Sequence, residues 1–408
     1  MPPSTSVNPL HTNQTIRSLP FSEGCLLFQT GTRKIWALNH SAAFLWSLLE
    51  TTADLKVLAL QLAHTFKISL SQAIKDTEAA MVSFRADGLL GMSLPGQVDS
   101  TEQAIPLSLP ATNAVRLHGV QWVERFSFSL PHHRLEFCSS DTDIALEFRK
   151  AMRHFEGSVC SPGSSSQLCI ARCDSLKRKF DIYLNGRLFS SNIPKNDAII
   201  TLLYCTFSLA TEILSDKILF HAAVLERAGM AFIFPGDSGS GKTTLAALLC
   251  KKDFRYISDE LAVVDPDTGL ITPLPLPMSI KKGAWPILRP LYPELDTHKI
   301  YVRADRKEVR VFAPEVMSDM NGPKEIAPAA LIFPRFDPIS PAKTQELAKS
   351  DAIRRLASSC SSSRPLTERD IATIIRLVDN HPCFSVTYSH CEVVEELLDD
   401  IMKDKRLP

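Results

Sequence analysis

An eight-residue glycine-rich segment constrains this chain more than any other feature. Residues 236–243 read GDSGSGKT and match the pattern G-x-x-x-x-G-K-[ST] at every position. The pattern predicts an apolar strand before the segment, over residues 231–234, and an apolar helix after it, over residues 243–250. Strand, glycine loop and helix in this order indicate an α/β unit that binds phosphate groups.

Each residue type in the segment has a physical reason. Glycines at 236, 239 and 241 allow the close approach of successive N–H groups to a β-phosphate. Lys242 supplies a charge that reaches the β- and γ-phosphates, and the Thr243 hydroxyl is placed to bind Mg²⁺. ATP and Mg²⁺ are therefore the expected cofactors. The residues expected to bind the nucleotide are Gly236, Asp237, Ser238, Gly239, Ser240, Gly241, Lys242, Thr243 and Thr244.

A phosphate-binding loop alone does not distinguish hydrolysis, group transfer and sensing. A second apolar strand ends in the acidic pair Asp259 and Glu260, seventeen positions after Lys242. Such a pair can hold a metal ion and accept a proton from an attacking hydroxyl. His221 precedes the loop by fifteen residues at the start of another strand. A lone histidine there is either a core or capping residue or part of the site.

The segment FHAAVLERAGMAFIFPGDSGSGKTTLAALLCKKDFRYISDE resembles, without gaps from His221 to Glu260, the catalytic core of HPr kinase/phosphorylase. Members of that family phosphorylate a protein serine. The resemblance implies that Asp259 is the base, that His221 assists and tunes it, and that Lys242 stabilises the γ-phosphate. It implies that Glu260 is the second acid and, with Thr243, a metal ligand. Members of that family assemble into oligomers, so a homo-oligomer stays open here.

The chain also departs from that family. No Arg-Gly-x-Gly run follows the acidic pair, so the reverse, phosphorolytic reaction is in doubt. The segments PLPLPMSIKKGAWPIL and ALIFPRF look like HPr-kinase-related proteins of peptide-modifying gene clusters. Ser279, Lys281 and Arg335 are therefore candidates for closing the site or meeting the substrate. The alternative is that they belong to a structural proline-rich loop and a solvated basic residue.

A different pattern occupies residues 15–92. Two short strands separated by Thr30, Gly31 and Thr32 predict a hairpin, followed by a helix that Asn39 or Ser41 can cap and by two more amphipathic helices. This predicts a small winged-helix-like domain. The order of hairpin, WALNHSAAFLWSLLE and two helices ending in DGLLG resembles the PqqD family, whose members are peptide-binding chaperones. The resemblance implies that an extended leader peptide binds by strand addition.

The remaining sequence sets boundaries. Residues 93–113 are rich in Pro, Ser, Thr and Gln and are expected to be a linker, which leaves residues 114–408 for a P-loop kinase domain of the HPr-kinase type. His132 and His133 are expected to be surface residues.

The chain has 45 basic and 45 acidic residues, so no global field favours nucleic acid or an anionic membrane. No apolar run of about 18 residues and no export signal are seen, and a cytoplasmic location is expected.

Taken together, these features predict an ATP-dependent kinase that phosphorylates a serine on a protein or precursor peptide recruited by the N-terminal domain. Two alternatives remain. One is a non-catalytic peptide chaperone or regulator controlled by ATP. The other is a kinase that phosphorylates a hydroxyl group of a small metabolite. In that case the N-terminal domain would have no function in the reaction.

Overall fold

The structure is a computed structural model. It describes residues 16–90, except 30, 31, 33 and 50, and residues 117–403, except 118, 157–163, 175–177, 315–324 and 363. The expected linker, residues 93–113, lies outside the described residues. The strands, in chain order, are β1 (Ile16–Phe21), β2 (Gly24–Gln29), β3 (Ile35–Asn39), β4 (Glu124–Leu130), β5 (His133–Ser139), β6 (Ser164–Asp174), β7 (Lys179–Leu184), β8 (Arg187–Pro194), β9 (Ile218–Phe220), β10 (Ala222–Arg227), β11 (Met230–Pro235), β12 (Arg255–Ser258), β13 (Ala262–Val264), β14 (Ile271–Thr272), β15 (Met278–Lys281), β16 (Ile300–Val302), β17 (Glu308–Phe312), β18 (Ala327–Phe336), β19 (Lys343–Glu346) and β20 (Cys383–Tyr388).

The α-helices are α1 (His40–Leu49), α2 (Leu55–Phe66), α3 (Leu70–Ala86), α4 (Thr142–Ala151), α5 (Ala198–Ile213), α6 (Lys242–Leu249), α7 (Trp285–Leu288), α8 (Lys349–Ser358), α9 (Glu368–Asn380) and α10 (Glu392–Lys403). None of the helices within the described ranges is both long and apolar enough to cross a membrane.

The chain forms two compact units. Of the described residues, the first unit takes 16–90, 347–358 and 364–380, and the second takes 117–346, 359–362 and 381–403. Helices α8 and α9 therefore belong to the first unit, although they lie within the range 114–408 expected for the kinase domain. The domain ranges 15–92 and 114–408 stay predictions.

The first unit is built on the antiparallel sheet β1-β2-β3. Because side chains alternate across a strand, Leu27 and Leu38 face the same side and join a core with helices α1 to α3. Asn39 caps α1, since its side-chain oxygen accepts a hydrogen bond from the Ala42 N–H at 2.9 Å. The expected hairpin and three helices are thus present.

The second face of this sheet is also covered. Leu26 and Phe28 alternate with Leu27, and they are 0% and 2% exposed. Helix α8 packs on β3 and α9 packs on β1, which accounts for this burial. Thr367 and Asp370 form a capping box at the start of α9, because the Asp370 carboxylate accepts from the Thr367 N–H at 2.7 Å and the Asp370 N–H donates to the Thr367 hydroxyl at 3.3 Å.

Glu23, in the turn between β1 and β2, caps helix α8. Its carboxylate accepts hydrogen bonds from the N–H groups of Lys349 at 2.9 Å and Ser350 at 3.1 Å. Burial raises the pKa of Glu23, but these hydrogen bonds outweigh it, so the pKa is lowered overall. A lowered pKa means that the cap stabilises the fold above the ordinary glutamate pKa and loses this effect as the pH falls.

We therefore expect Glu23→Ala to lower the free energy of unfolding by about 1 kcal/mol at neutral pH, because two helix N–H groups lose their partner. Urea unfolding of the full chain, followed by circular dichroism, measures this. The difference should shrink as the pH falls below the ordinary glutamate pKa. Glu78→Ala, on the exposed side of α3, is the control and should change stability little at any pH. Equal effects of the two changes would contradict the capping role.

The second unit begins with the sheet β4-β5-β6-β7-β8, on which helices α4 and α5 pack in one shared core. His132 lies exposed in the turn between β4 and β5 with φ of 55°. His133 is 4% exposed, and its Nδ1 lies 2.8 Å from the Ser164 hydroxyl. The prediction that both histidines are surface residues is wrong for His133, because it lies on the same face of β5 as Leu135 and Phe137, which pack in the core shared with α4 and α5.

A six-stranded sheet of order β12-β10-β11-β18-β20-β19 forms the centre of the second unit. Strand β10 is antiparallel to both β11 and β12, whereas β11, β18 and β20 are parallel. The carboxyl ends of β12, β11, β18 and β20 and the beginning of β10 therefore lie along one edge of the sheet. Ligands of open α/β sheets bind at this kind of edge.

Candidate functional site

One cavity of about 430 Å³ lies at this edge of the six-stranded sheet. The glycine-rich segment follows β11, the acidic pair follows β12, and His221 directly precedes β10. These three segments are distant in sequence, and the sheet brings them together. The residues that line the cavity are His221, Ser238, Gly239, Gly241, Lys242, Thr243, Thr244, Asp259, Glu260, Ser279, Lys281, Gly283, Ala284, Ile287, Arg303 and Phe336.

The glycine-rich segment forms the loop between β11 and helix α6. Gly239 and Gly241 have φ of +98° and +96°, a region that side-chain-bearing residues rarely adopt. A Cβ atom on Gly241 would lie 2.5 Å from the Tyr388 hydroxyl oxygen and 2.9 Å from the Phe336 Cβ. Glycine at 241 is thus required both by the backbone conformation and by the close approach of two aromatic residues.

Lys242, the first residue of α6, is buried, and its amine points back into the loop. The Nζ group donates to the carbonyl oxygens of Gly236 at 2.5 Å and Asp237 at 2.9 Å. It lies 3.3 Å from Nε2 of His221, whose Nδ1 lies 3.2 Å from the Glu260 carbonyl oxygen. Burial is the main reason that the pKa of both Lys242 and His221 is lowered. These contacts suit a neutral imidazole that donates from Nδ1 and accepts from Lys242 at Nε2.

Asp259 is the most unusual charged group of the cavity. It is 3% exposed, and neither carboxylate oxygen has a hydrogen-bond partner of standard geometry in the described part of the chain. Burial, followed by the neighbouring Glu260 charge, raises the pKa of Asp259 to about 7, and the Thr243 hydroxyl and Lys242 counteract this only in part. A buried carboxylate of this kind, which faces a cavity, is available to accept a hydrogen bond or a proton from a bound ligand.

The donor set beside Asp259 consists of hard oxygen atoms. Glu260 is 37% exposed in its side chain, and Thr243 lies at the start of α6. No three His, Cys, Asp or Glu side chains cluster as a metal-binding set within the described ranges. Mg²⁺ needs no such cluster, since it is commonly held by one or two carboxylates together with the phosphates of its nucleotide. The residues present therefore fit that ion, and the unpartnered oxygens of Asp259 are the observation that supports the fit.

The three residues predicted to close the site or meet the substrate divide into two groups. Ser279 and Lys281 lie on β15 and line the cavity, and the Lys281 amine donates to the Ser238 hydroxyl at 3.2 Å. Arg335 is exposed at the end of β18, paired with Thr387 of β20, and is absent from the cavity lining. Lys281 thus spans from β15 to the glycine loop, whereas Arg335 does not reach this cavity.

The cavity also contains residues that the sequence did not suggest. Arg303 follows β16, Ile287 lies on α7, and Phe336 ends β18. One sequence feature points to Phe336, because this residue is the last of the segment ALIFPRF. Nothing in the sequence indicated that β18 lies next to β11, which is what brings Phe336 to the loop.

Similarities to known proteins are found for a family model and for solved structures. No curated protein matches the chain. The chain is similar to a solved structure titled "Structure of the Hpr(Ser) kinase/phosphatase from Coxiella burnetii", with 10% identity over 46% of this chain and 95% of that chain. The TM-score of 0.21 is too low to establish a common arrangement. The family model "Coenzyme PQQ synthesis protein D (PqqD)" matches residues 24–90, the hairpin and three helices of the first unit. Residues 24–90 are therefore a PqqD domain.

Proposed function

We propose that this protein is an ATP-dependent kinase that phosphorylates a serine hydroxyl on a protein or ribosomally made precursor peptide. The observation that carries the proposal is Asp259, a buried carboxylate that has no hydrogen-bond partner of standard geometry among the described residues and that faces the same cavity as a glycine loop and its lysine. A protein that only binds and releases ATP needs no such group. A phosphotransferase needs an acceptor for the proton of the attacking hydroxyl.

In the proposed reaction, the serine oxygen attacks the γ-phosphorus, and the bond from that phosphorus to the β–γ bridging oxygen breaks. Asp259 accepts the hydroxyl proton, for which a pKa of about 7 is well suited. His221 lies beside both Lys242 and Glu260. Its two ring nitrogens contact one residue each, which fixes the positions of these two residues relative to each other. A neutral His221 would thereby assist Asp259 by positioning the two groups beside it.

Lys242 and the loop N–H groups would stabilise the charge that develops on the phosphates. In the structure the Lys242 amine binds the Gly236 and Asp237 carbonyl oxygens, so nucleotide binding would exchange these partners for phosphate oxygens. Thr243 and Glu260 would hold Mg²⁺, which neutralises negative charge on the β- and γ-phosphates. Lys281 would close the loop from the side of β15, and Arg335 remains a proposed contact for the acceptor outside the cavity.

The PqqD domain supports a peptide as the acceptor rather than a small metabolite. A leader peptide bound to this domain would raise the effective concentration of its serine near the γ-phosphate. Tethering of this kind requires few contacts around the acceptor itself. The same domain supports recruitment of the substrate before the chemical step.

The proposal is tested with the purified full chain, MgATP and the small peptides encoded beside its gene, with intact masses as the readout. Each transferred phosphate adds about 80 Da. A peptide that gains this mass, and loses it on phosphatase treatment, supports the kinase. If ATP binds and a peptide binds the PqqD domain while no peptide gains mass, the kinase fails and an ATP-controlled peptide chaperone becomes the better explanation.

A further inference from the structure

The order of strands sets the direction in which a nucleoside triphosphate would lie; this step rests on the proposed function. Along the carboxyl edge, the acidic pair follows β12, the glycine loop follows β11, and β18 ends at Phe336 on the opposite side of the loop. The γ-phosphate has to face Asp259 and Glu260. With the β-phosphate in the loop, the nucleoside therefore extends away from β12 and towards the end of β18.

At that end lies an aromatic side chain that is held firmly in place. The Phe336 N–H donates to the Ser240 carbonyl oxygen of the loop at 3.0 Å. Its ring packs against the Tyr388 ring with centroids 5.6 Å apart at 65°, and the Tyr388 hydroxyl donates to the Gly241 carbonyl oxygen at 3.3 Å. Phe336 is nonetheless 36% exposed and lines the cavity.

The turn after Phe336 adds to this rigidity. The Asp337 N–H donates to the Tyr388 carbonyl oxygen at 2.9 Å, and the Asp337 carboxylate accepts from the N–H groups of Ile339 and Ser340, each at 3.1 Å. The Ser340 hydroxyl donates to the same carboxylate at 2.7 Å. An aromatic ring fixed in this way loses little conformational freedom when a flat ligand stacks on it.

We infer that Phe336 is the nucleobase contact of this site and that the base of the bound nucleotide stacks on its ring. Phenylalanine offers no hydrogen-bonding group, so this contact favours the larger purine surface without distinguishing adenine from guanine. We expect ATP and GTP to bind with similar affinity and CTP and UTP more weakly. Phe336 is thus a specificity residue for base size, at the far end of the cavity from the acidic pair.

The test compares ATP with inorganic tripolyphosphate, which has the phosphates but no base, by calorimetric titration of the full chain. Stacking of one base corresponds to about a 5- to 150-fold difference in affinity. Phe336→Ala should therefore weaken ATP binding about tenfold and leave tripolyphosphate binding unchanged, since the backbone N–H to Ser240 is kept. Phe336→Trp should retain ATP binding, and its fluorescence should change on addition of ATP but not of tripolyphosphate.

The outcomes separate this inference from the proposed function. If Phe336→Ala weakens ATP and tripolyphosphate equally, the residue supports the loop and the stacking inference is wrong. If Phe336→Ala binds ATP as the unmodified protein does, the base lies elsewhere, and the inference fails while the kinase proposal stands. If the unmodified protein binds neither ligand, the proposed function fails first. Loss of the purine preference in Phe336→Ala would support the inference independently.

Discussion

Replacing Asp259 by asparagine should lower the rate of phosphoryl transfer about a thousandfold, because the site loses the group proposed to accept the hydroxyl proton. Asparagine has nearly the same shape, and its amide does not accept a proton at neutral pH. The affinity for ATP should stay within about threefold, since the loop and Lys242 are unchanged. Single-turnover transfer to the peptide and equilibrium binding of ATP measure the two quantities separately.

The raised pKa of Asp259 also predicts how the Asp259→Asn change affects the stability of the fold. The pKa of Asp259 is raised to about 7 in the folded protein, so ionisation of this group opposes folding above the ordinary aspartate pKa. This unfavourable contribution grows as the pH rises towards 7 and is complete above it. Asp259→Asn should accordingly be at least as stable as the unmodified protein at pH 8, and a loss of transfer cannot then be ascribed to unfolding.

Two further comparisons make the result interpretable. Glu136→Gln, an exposed change on β5, should leave transfer and ATP binding as they are. Transfer that persists in Asp259→Asn would refute the role of Asp259 as the base. A peptide-release activity that is unaffected by the change would favour the chaperone alternative.

The second large effect is expected for Gly241→Ala. The new Cβ would have to lie 2.5 Å from the Tyr388 hydroxyl oxygen and 2.9 Å from the Phe336 Cβ, at a φ of +96°. Both the loop and the aromatic pair would shift, and the N–H groups would no longer converge on one phosphate. We expect ATP affinity to fall about 100-fold, equivalent to about 2.7 kcal/mol, as measured by calorimetry.

Alanine substitutions at two other glycines distinguish the effect of backbone strain from the effect of steric collision. Gly239→Ala places alanine at a φ of +98° in the same loop, but no atom lies within 4 Å of its Cβ. Gly229→Ala, in the turn between β10 and β11, combines a φ of +83° with the same open surroundings. We expect a smaller loss of ATP affinity for Gly239→Ala than for Gly241→Ala and none for Gly229→Ala. Equal losses at 239 and 241 would show that the contact with Tyr388 and Phe336 is unimportant.

Local pattern was sufficient for several elements of this fold. The spacing of apolar residues predicts helices over residues 350–356, 367–378 and 393–402 and a strand over residues 383–388, and the structure has α8, α9, α10 and β20 at these places. These elements are amphipathic or alternate strongly, so their periodicity is visible without tertiary information. The burial of His133 was missed because it depends on which helices pack on that face of β5.

The structure brings most of the residues proposed for the candidate site to one cavity, and their chemical roles stay proposals. His221, Lys242, Thr243, Asp259 and Glu260 share one cavity, as the resemblance implied for their positions. Arg335, also proposed, lies outside that cavity. Phe336, its direct neighbour, lines the cavity instead, because neighbouring residues of a strand point to opposite sides.

The sequence by itself determined the position of the glycine-rich loop, of its lysine and of the acidic pair, and the PqqD domain at residues 24–90. These depend on short segments whose residue types carry the chemistry. Only the tertiary structure decided that helices α8 and α9 cover the second face of the β1-β2-β3 sheet and that β18 ends beside the glycine loop. The physical reason is that strand order and helix docking depend on the burial of apolar faces between distant segments. A local sequence pattern shows that a helix or strand has an apolar face, but not which other element packs on that face.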